Sequence, residues 1–309
     1  MTQVPQDHSV RGLLKTGIAR LRQANVPSYT LAAELLLLSV IQHDRTWMYA
    51  HPEEIIPEAS VEKYSVLLAR RVAGEPTQHL TGKQEFWGLE FEVTPDVLIP
   101  RPETEHLIDV ALDRLAVREI RAGRPARLTG ENVTLVDIGT GSGCIAVALA
   151  KELPGATVFA TDISSAALKI ARRNAAHLGF GNRIQFFESN LFAVFANSPQ
   201  PSFDLVISNP PYVSRRDSSS LSVEVRQHEP ALALYGGEEG FEFYADLVGQ
   251  SQRYVQPSGL LVLELGYDSL LAVRPLLDDS VWANVAVTND LAGIPRVLSA
   301  ERLSLVPTL

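Results

Sequence analysis

Apolar residues recur at helical spacing over residues 8–24, where Val10, Leu13, Leu14, Ile18 and Leu21 form one stripe. The chain restarts at Pro27-Ser28 and enters 31–41, apolar on nearly every side and therefore predicted as a largely buried helix. A short helix is predicted over 45–50 and a longer one over 60–72, the latter stopped by Gly74 and Pro76. Together these predict a compact helical module. The period then changes: Leu89, Phe91 and Val93 alternate with Glu90 and Glu92, as a half-buried hairpin strand does. Pro100 and Pro102, with Glu103 and Glu105, mark the start of a helix running through Leu115. The stretch 118–131 is polar and broken by Gly and Pro, a linker or surface loop.

Beyond Val133 the pattern repeats. Apolar runs predict strands over 133–137, 157–162, 184–188, 203–208 and 260–265, separated by helices over 143–153, 165–178 and 240–256. That alternation implies right-handed βαβ units and an open, mainly parallel sheet. Ligands of such sheets bind beyond the carboxyl ends of the strands. Asp137, Asp162, Asn190 and Asn209, on four separate strands, all fall there.

Length and composition narrow the function classes. A chain of 309 residues predicts about two domains, and 46% hydrophobic residues supply sizeable cores. A net charge of −9 argues against a free-standing nucleic-acid binder. Residues 1–80 hold eight Lys/Arg and eight Asp/Glu, so the negative excess lies downstream of the helical module. A neutral module of this kind is either a docking surface or a self-burying cap. The single cysteine, Cys144, excludes an intrachain disulfide framework, and no Cys/His spacing predicts a metal site. Cys144 reads as a small core residue, with a reactive thiol at a helix start as the minority reading. No secretory leader and no run approaching a membrane span is recognisable, so a soluble cytoplasmic protein is expected.

Three motifs carry chemistry. An apolar strand ends in Asp137-Ile138-Gly139-Thr140-Gly141-Ser142-Gly143 and runs into a helix. Glycines at every second place let backbone approach a ligand and supply positive φ. The nicotinamide loop pattern requires a last Gly where Cys144 stands, so S-adenosylmethionine, which carries no pyrophosphate, suits the spacing better. Asp162 lies 21 residues past Gly141, where an acidic side chain meets a ribose diol, or else it caps the following helix. Asn209-Pro210-Pro211-Tyr212 closes the fourth strand. The prolines stiffen the backbone and remove two donors. The Asn209 side-chain oxygen and the Pro210 carbonyl can then grip both hydrogens of a planar NH2, with Tyr212 covering its face. A proline turn ending a buried strand is the plainer alternative.

Gly74-Glu75-Pro76, Phe86-Trp87, Ile99 to Glu105, the glycine loop, Asn209 to Tyr212 and Asp290 to Val297 together closely resemble the PrmC/HemK family of release factor glutamine N5-methyltransferases. The resemblance spans nearly the whole chain. It implies an α/β fold of the class I S-adenosylmethionine-dependent methyltransferase type, a seven-stranded, mostly parallel sheet. An all-helical N-terminal domain over 1–78 and a β-hairpin linker over 79–100 would precede a catalytic domain over 101–309. The implied donor is S-adenosylmethionine, bound by Asp137, Ile138, Gly139, Thr140, Gly141, Asp162, Asn190, Leu191 and Asn209. Asn209, Pro210, Pro211 and Tyr212, with Arg101, would take the substrate, and Asn209, Pro210 and Tyr212 the chemistry. The implied partner is a bacterial class 1 peptide-chain release factor, methylated on the glutamine of its Gly-Gly-Gln tip. Asn190 stands where the family usually has Asp and brings no charge to an adenine edge. A sister family methylating a ribosomal-protein glutamine usually lacks the Arg101-Pro102-Glu103-Thr104-Glu105 run. A nucleic-acid amino-methyltransferase would need base flipping and a basic channel; Arg215-Arg216 is too short to provide one.

Overall fold

The structure, a computed structural model, describes residues 7–123, 129–196 and 202–304. The chain divides into two compact units, one taking in the chain up to Lys83 together with Ser222–His228, the other the remainder.

The first unit is helical: α1 (Val10–Gln23), α2 (Tyr29–Ile41), α3 (Arg45–Ala50), α4 (Glu58–Val72) and α5 (Thr77–Thr81). Ser9 starts α1 by accepting the Gly12 N–H on its Oγ at 3.0 Å, and Asp44 starts α3 by accepting that of Trp47 at 2.7 Å. The helix predicted to be buried is α2; Ala33, Leu36 and Leu37 are fully buried against α1 and α4. Gly17 of α1 has no room for a side chain, since an added Cβ would sit 1.9 Å from the Tyr64 hydroxyl. That hydroxyl crosses to donate to the Ala33 carbonyl at 3.2 Å.

The second unit opens with a hairpin, β1 (Lys83–Phe86) and β2 (Leu89–Glu92), turned at Trp87 and Gly88 with φ of 55° and 68°. The hairpin is pinned by Trp87, whose Nε1 donates to Glu152 and whose backbone N–H donates to Glu105, both at 2.8 Å. Next come α6 (Glu105–Arg121), β3 (Thr134–Ile138), α7 (Cys144–Glu152), β4 (Thr157–Asp162), α8 (Ser165–His177), β5 (Ile184–Glu188) and β6 (Phe203–Ser208). The loop after β6 carries β7 (Val213–Ser214), α9 (Val223–His228, which belongs to the first unit), α10 (Ala231–Leu234) and β8 (Tyr235–Gly237). The chain finishes with α11 (Glu242–Tyr254), β9 (Val255–Glu264), α12 (Leu270–Val273), β10 (Trp282–Asn289) and β11 (Pro295–Arg302). The predicted linker differs: α6 continues through its first four residues to Arg121, and residues 124–128 of it lie outside those described.

Seven strands form one sheet in the order β10-β11-β9-β6-β3-β4-β5, with β11 antiparallel to both neighbours and the other described pairs parallel. Side chains alternate across it. Leu135 and Leu205 pack with α6 and α7 on one face, Val136 and Val206 with α11 on the other. Strand β9 starts five residues before the predicted 260. Pro257 and Gly259 interrupt the apolar run there, yet the backbone already pairs with β6 where Val255 stands opposite Phe203. Between β3 and β6 the order of strands reverses, which opens a crevice at their carboxyl ends. No helix among the described residues is long and apolar enough to cross a membrane.

Candidate active site

A cavity of about 300 Å³ occupies that crevice. Strand ends supply Ile138, Thr161, Asp162, Asn190, Leu191 and Asn209; the hairpin-to-helix connection adds Val97 and Leu98. Leu232, Tyr235 and Phe243 close it from the loop after β6 and the start of α11.

The glycine loop meets the cavity through backbone. Gly139 and Gly141 line it with φ of 74° and 54°, and a Cβ on either would enter open space. Gly143 serves packing instead, since its Cβ would lie 3.1 Å from that of Ala171 in α8. The loop is tied to β4 by Gly139 and Thr140 N–H groups donating to the Thr161 carbonyl at 2.8 and 2.9 Å. Asp137 and Thr140, expected among the donor ligands, lie outside the lining. The chain reverses after Ile138, which turns both side chains beneath the loop. There the Thr140 hydroxyl donates to Asp137 Oδ2 at 2.6 Å. Asp137 is fully buried, its Oδ1 has no partner among the described residues, and burial pushes its carboxyl up to about 7. Cys144 is inert for a similar reason: burial pushes its thiol up to about 12.

Asp162 faces the cavity and also braces it. Its carboxylate accepts the Gly141 N–H at 2.9 Å and the Ser164 N–H at 2.8 Å, while burial, the largest influence, raises its pKa. The cap of α8 is Ser164, whose Oγ accepts the Ala167 N–H at 3.1 Å. Beside it, Leu191 adopts a left-handed backbone with φ of 49°. Ser189 holds that strained turn, donating to the Leu191 carbonyl at 3.0 Å and accepting the Val194 N–H at 3.1 Å.

Asn209 lines the cavity with Pro211. Its Nδ2 donates to the Thr104 hydroxyl at 3.1 Å, and its Oδ1 is buried with no partner among the described residues. Pro210 is buried behind the lining. Tyr212 departs from its expected place: it lies outside the lining and packs on Gly266, where a Cβ would meet its ring at 2.7 Å. Burial pushes its phenol up to about 12. The chain enters β7 directly after Tyr212, where Val213 pairs with the cavity-lining Tyr235. Aromatic cover falls to Tyr235 and Phe243, which no local pattern marked in the sequence. Arg101 is also outside the lining. It pairs at 2.5 Å with Glu229, a buried carboxylate beside the cavity-lining Pro230, so it braces a wall of the cavity.

Comparison with known proteins assigns both parts of the chain. Residues 12–82 match the PrmC N-terminal domain and residues 126–231 the Methyltransferase small domain. The chain is 41% identical over 287 residues to a release factor glutamine methyltransferase of Koribacter versatilis (strain Ellin345), covering 93% of this chain and 96% of that one. It is 38% identical over 301 residues to one of Nitratidesulfovibrio vulgaris, covering 97% of each. Among solved structures, the hMettl16 catalytic domain in complex with MAT2A 3'UTR hairpin 6 aligns with a TM-score of 0.54 at 18% identity, over 79% of this chain and 84% of that one. That likeness concerns the fold, a class I methyltransferase sheet.

Proposed function

The chain belongs to the release factor glutamine methyltransferase family, and on that premise we propose that it methylates the side-chain N5 of a release-factor glutamine. In this reading S-adenosylmethionine is the donor and the Gly-Gly-Gln glutamine of a class 1 release factor the acceptor. The helical module (1–78) recognises the release factor, 79–100 is the hairpin linker, and 101–309 carries the chemistry in the cytoplasm. The observation that carries this reading is the unpartnered Asn209 Oδ1, buried at a glycine-lined cavity. A buried acceptor without a donor costs about 1–3 kcal/mol, which an incoming N–H offsets.

The cavity fits the donor in two ways. Gly139 and Gly141 leave open the space that their side chains would fill. Asp162 and Asn190 offer polar groups in the same lining as the apolar Leu191 and Ile138, as a ribose and an adenine require. When bound, the donor supplies a methyl group on a positively charged sulfur. Asn209 Oδ1 and the Pro210 carbonyl hold the two amide hydrogens, aligning the nitrogen lone pair with that methyl. As the nitrogen gains positive charge its hydrogens become more acidic, so both oxygens bind them more strongly in the transition state than before it. Asn209 therefore needs no basic partner, and the proton can leave after transfer.

Incubation with labelled donor and separate release factor, ribosomal protein, tRNA and DNA tests the substrate. Label is expected on the release factor alone, at its glutamine; label on nucleic acid instead would overturn the assignment. Asp162→Ala is expected to weaken binding of the demethylated donor product by about 1.5–3 kcal/mol, the scale of a hydrogen bond to a charged group. Calorimetric titration reads it directly, and unchanged affinity would leave Asp162 only its bracing of Gly141 and Ser164.

A further inference from the structure

We propose that a second cavity, bordering Tyr212, receives a basic side chain from the release-factor segment that carries the acceptor glutamine. The proposal rests on the reading of the first cavity as the methylation site and gives Tyr212 a place in an adjoining subsite.

This cavity holds about 290 Å³ and is built wholly from the second unit. The loop after β6 gives Tyr212, Asp217 and Leu221, the residue before α11 is Phe241, and the turn after β9 gives Tyr267 and Asp268. Two glycines shape it. A Cβ on Gly266 would meet the Tyr212 ring at 2.7 Å, and one on Gly240 would meet the Tyr212 carbonyl at 2.7 Å. Gly240 also takes a φ of 92°, which residues with a side chain rarely adopt. The Tyr212 hydroxyl makes no hydrogen bond to a described residue.

Continuity with the acceptor site identifies the occupant. Asn209 and Pro211 line the first cavity and Tyr212 lines the second. Neighbouring Cα atoms stand about 3.8 Å apart, so the two cavities meet within one residue of each other on the rim. A glutamine delivered on a protein brings the residues on either side of it. The adjoining cavity is where one of them can be held.

Charge complementarity fixes the chemistry of that residue. Three carboxylates line the second cavity, and Arg216 pairs with one of them, Glu239. Arg215 faces Glu238 at 4.0 Å and lies over the Tyr235 ring at 5.3 Å. Asp217 and Asp268 have no cationic partner among the described residues. Phe241 is 38% and Tyr267 69% exposed, so two aromatic side chains stand open to solvent in the same lining. Uncompensated acids together with aromatic rings suit an ammonium or a guanidinium, which both the carboxylates and the ring faces attract. An acidic side chain would be repelled there, and an apolar one would leave both acids unpaired.

Steady-state methylation of the full-length release factor by the full chain tests the subsite. Tyr267→Ala, and separately Asp217→Asn combined with Asp268→Asn, are each expected to raise KM for the release factor on the order of tenfold, the scale of truncating an interface anchor. The value of kcat should change little. All three side chains are exposed, so neither variant reaches the core, and calorimetric affinity for the demethylated donor product should match wild type. Added salt should raise the wild-type KM, and should do so less in the asparagine pair. Lys and Arg residues around the release-factor glutamine, replaced one at a time by Met, should include one whose KM rise does not add to that of the asparagine pair. A wild-type KM in both variants would overturn the second cavity as a subsite. A rise in Tyr267→Ala alone, with salt dependence unaltered in the asparagine pair, would overturn the basic side chain. The reading of function fails separately: a wild-type chain that leaves the release factor unlabelled sinks that reading and the subsite with it.

Discussion

Asn209→Ala is expected to slow single-turnover methylation by roughly 10²–10³, as deletion of one preorganised transition-state hydrogen bond does. Two features of the site set that magnitude. Oδ1 is buried without a partner, so its interaction with an N–H develops away from water, where it is strongest. Nδ2 is already held by Thr104 at 3.1 Å, so the amide does not have to reorganise when substrate arrives. Affinity for the demethylated donor product should fall far less than the rate, because Gly139, Gly141, Asp162 and Leu191 still line the cavity. Asn209→Asp is the sharper comparison. It keeps an oxygen at the same place, but its ionised form cannot donate to Thr104. It too should be slow. A wild-type rate in the alanine variant would remove Asn209 from the chemistry.

The strands and loop that build this site were legible in the sequence because their signals are local. An apolar run ending in alternating glycines, or in Asn-Pro-Pro-Tyr, marks where a strand stops and where its rim loop begins. Asp162, Asn190, Leu191 and Asn209 therefore meet at one cavity, as their places at strand ends imply. Side-chain direction was less legible. Whether residue 137 or 139 faces the cavity depends on where the chain reverses, and Asp137 and Thr140 turned beneath the loop. Tyr212 stands just before a two-residue strand, β7, too short to leave a periodic signal. Arg101 was singled out by its flanking prolines, yet its partner Glu229 lies 128 residues away and no spacing announces it. Strands β10 and β11 have half-exposed ends and irregular register, so the alternation that reveals a strand is weak there.

At the opposite end of β6 sits the residue whose loss should cost the fold most. Asp204→Ala is expected to destabilise the second unit by about 3–5 kcal/mol, the cost of removing one partner of a buried ion pair. Asp204 is 4% exposed, and its carboxylate accepts from the Arg118 guanidinium of α6, from the Thr134 N–H at 2.8 Å and from the Gln256 amide. Thr134 begins β3 and Gln256 lies in β9, the two strands that flank β6 in the sheet. One carboxylate thus fixes three strands in register, and register decides which side chains reach the rim where Asn209 sits. Alanine leaves a guanidinium that is 15% exposed with only Glu119, 3.9 Å away, as counter-charge and a strand N–H without its side-chain acceptor. Asp204→Asn keeps the shape and can still accept, so it should lose less, about 1–3 kcal/mol. A chain of two units need not unfold in one step, so the loss belongs to the denaturant transition that reports on the sheet. A shift under about 1 kcal/mol in the alanine variant would mean that Arg118 finds water on its own, as surface pairs do. β6 would then be held in register by packing alone.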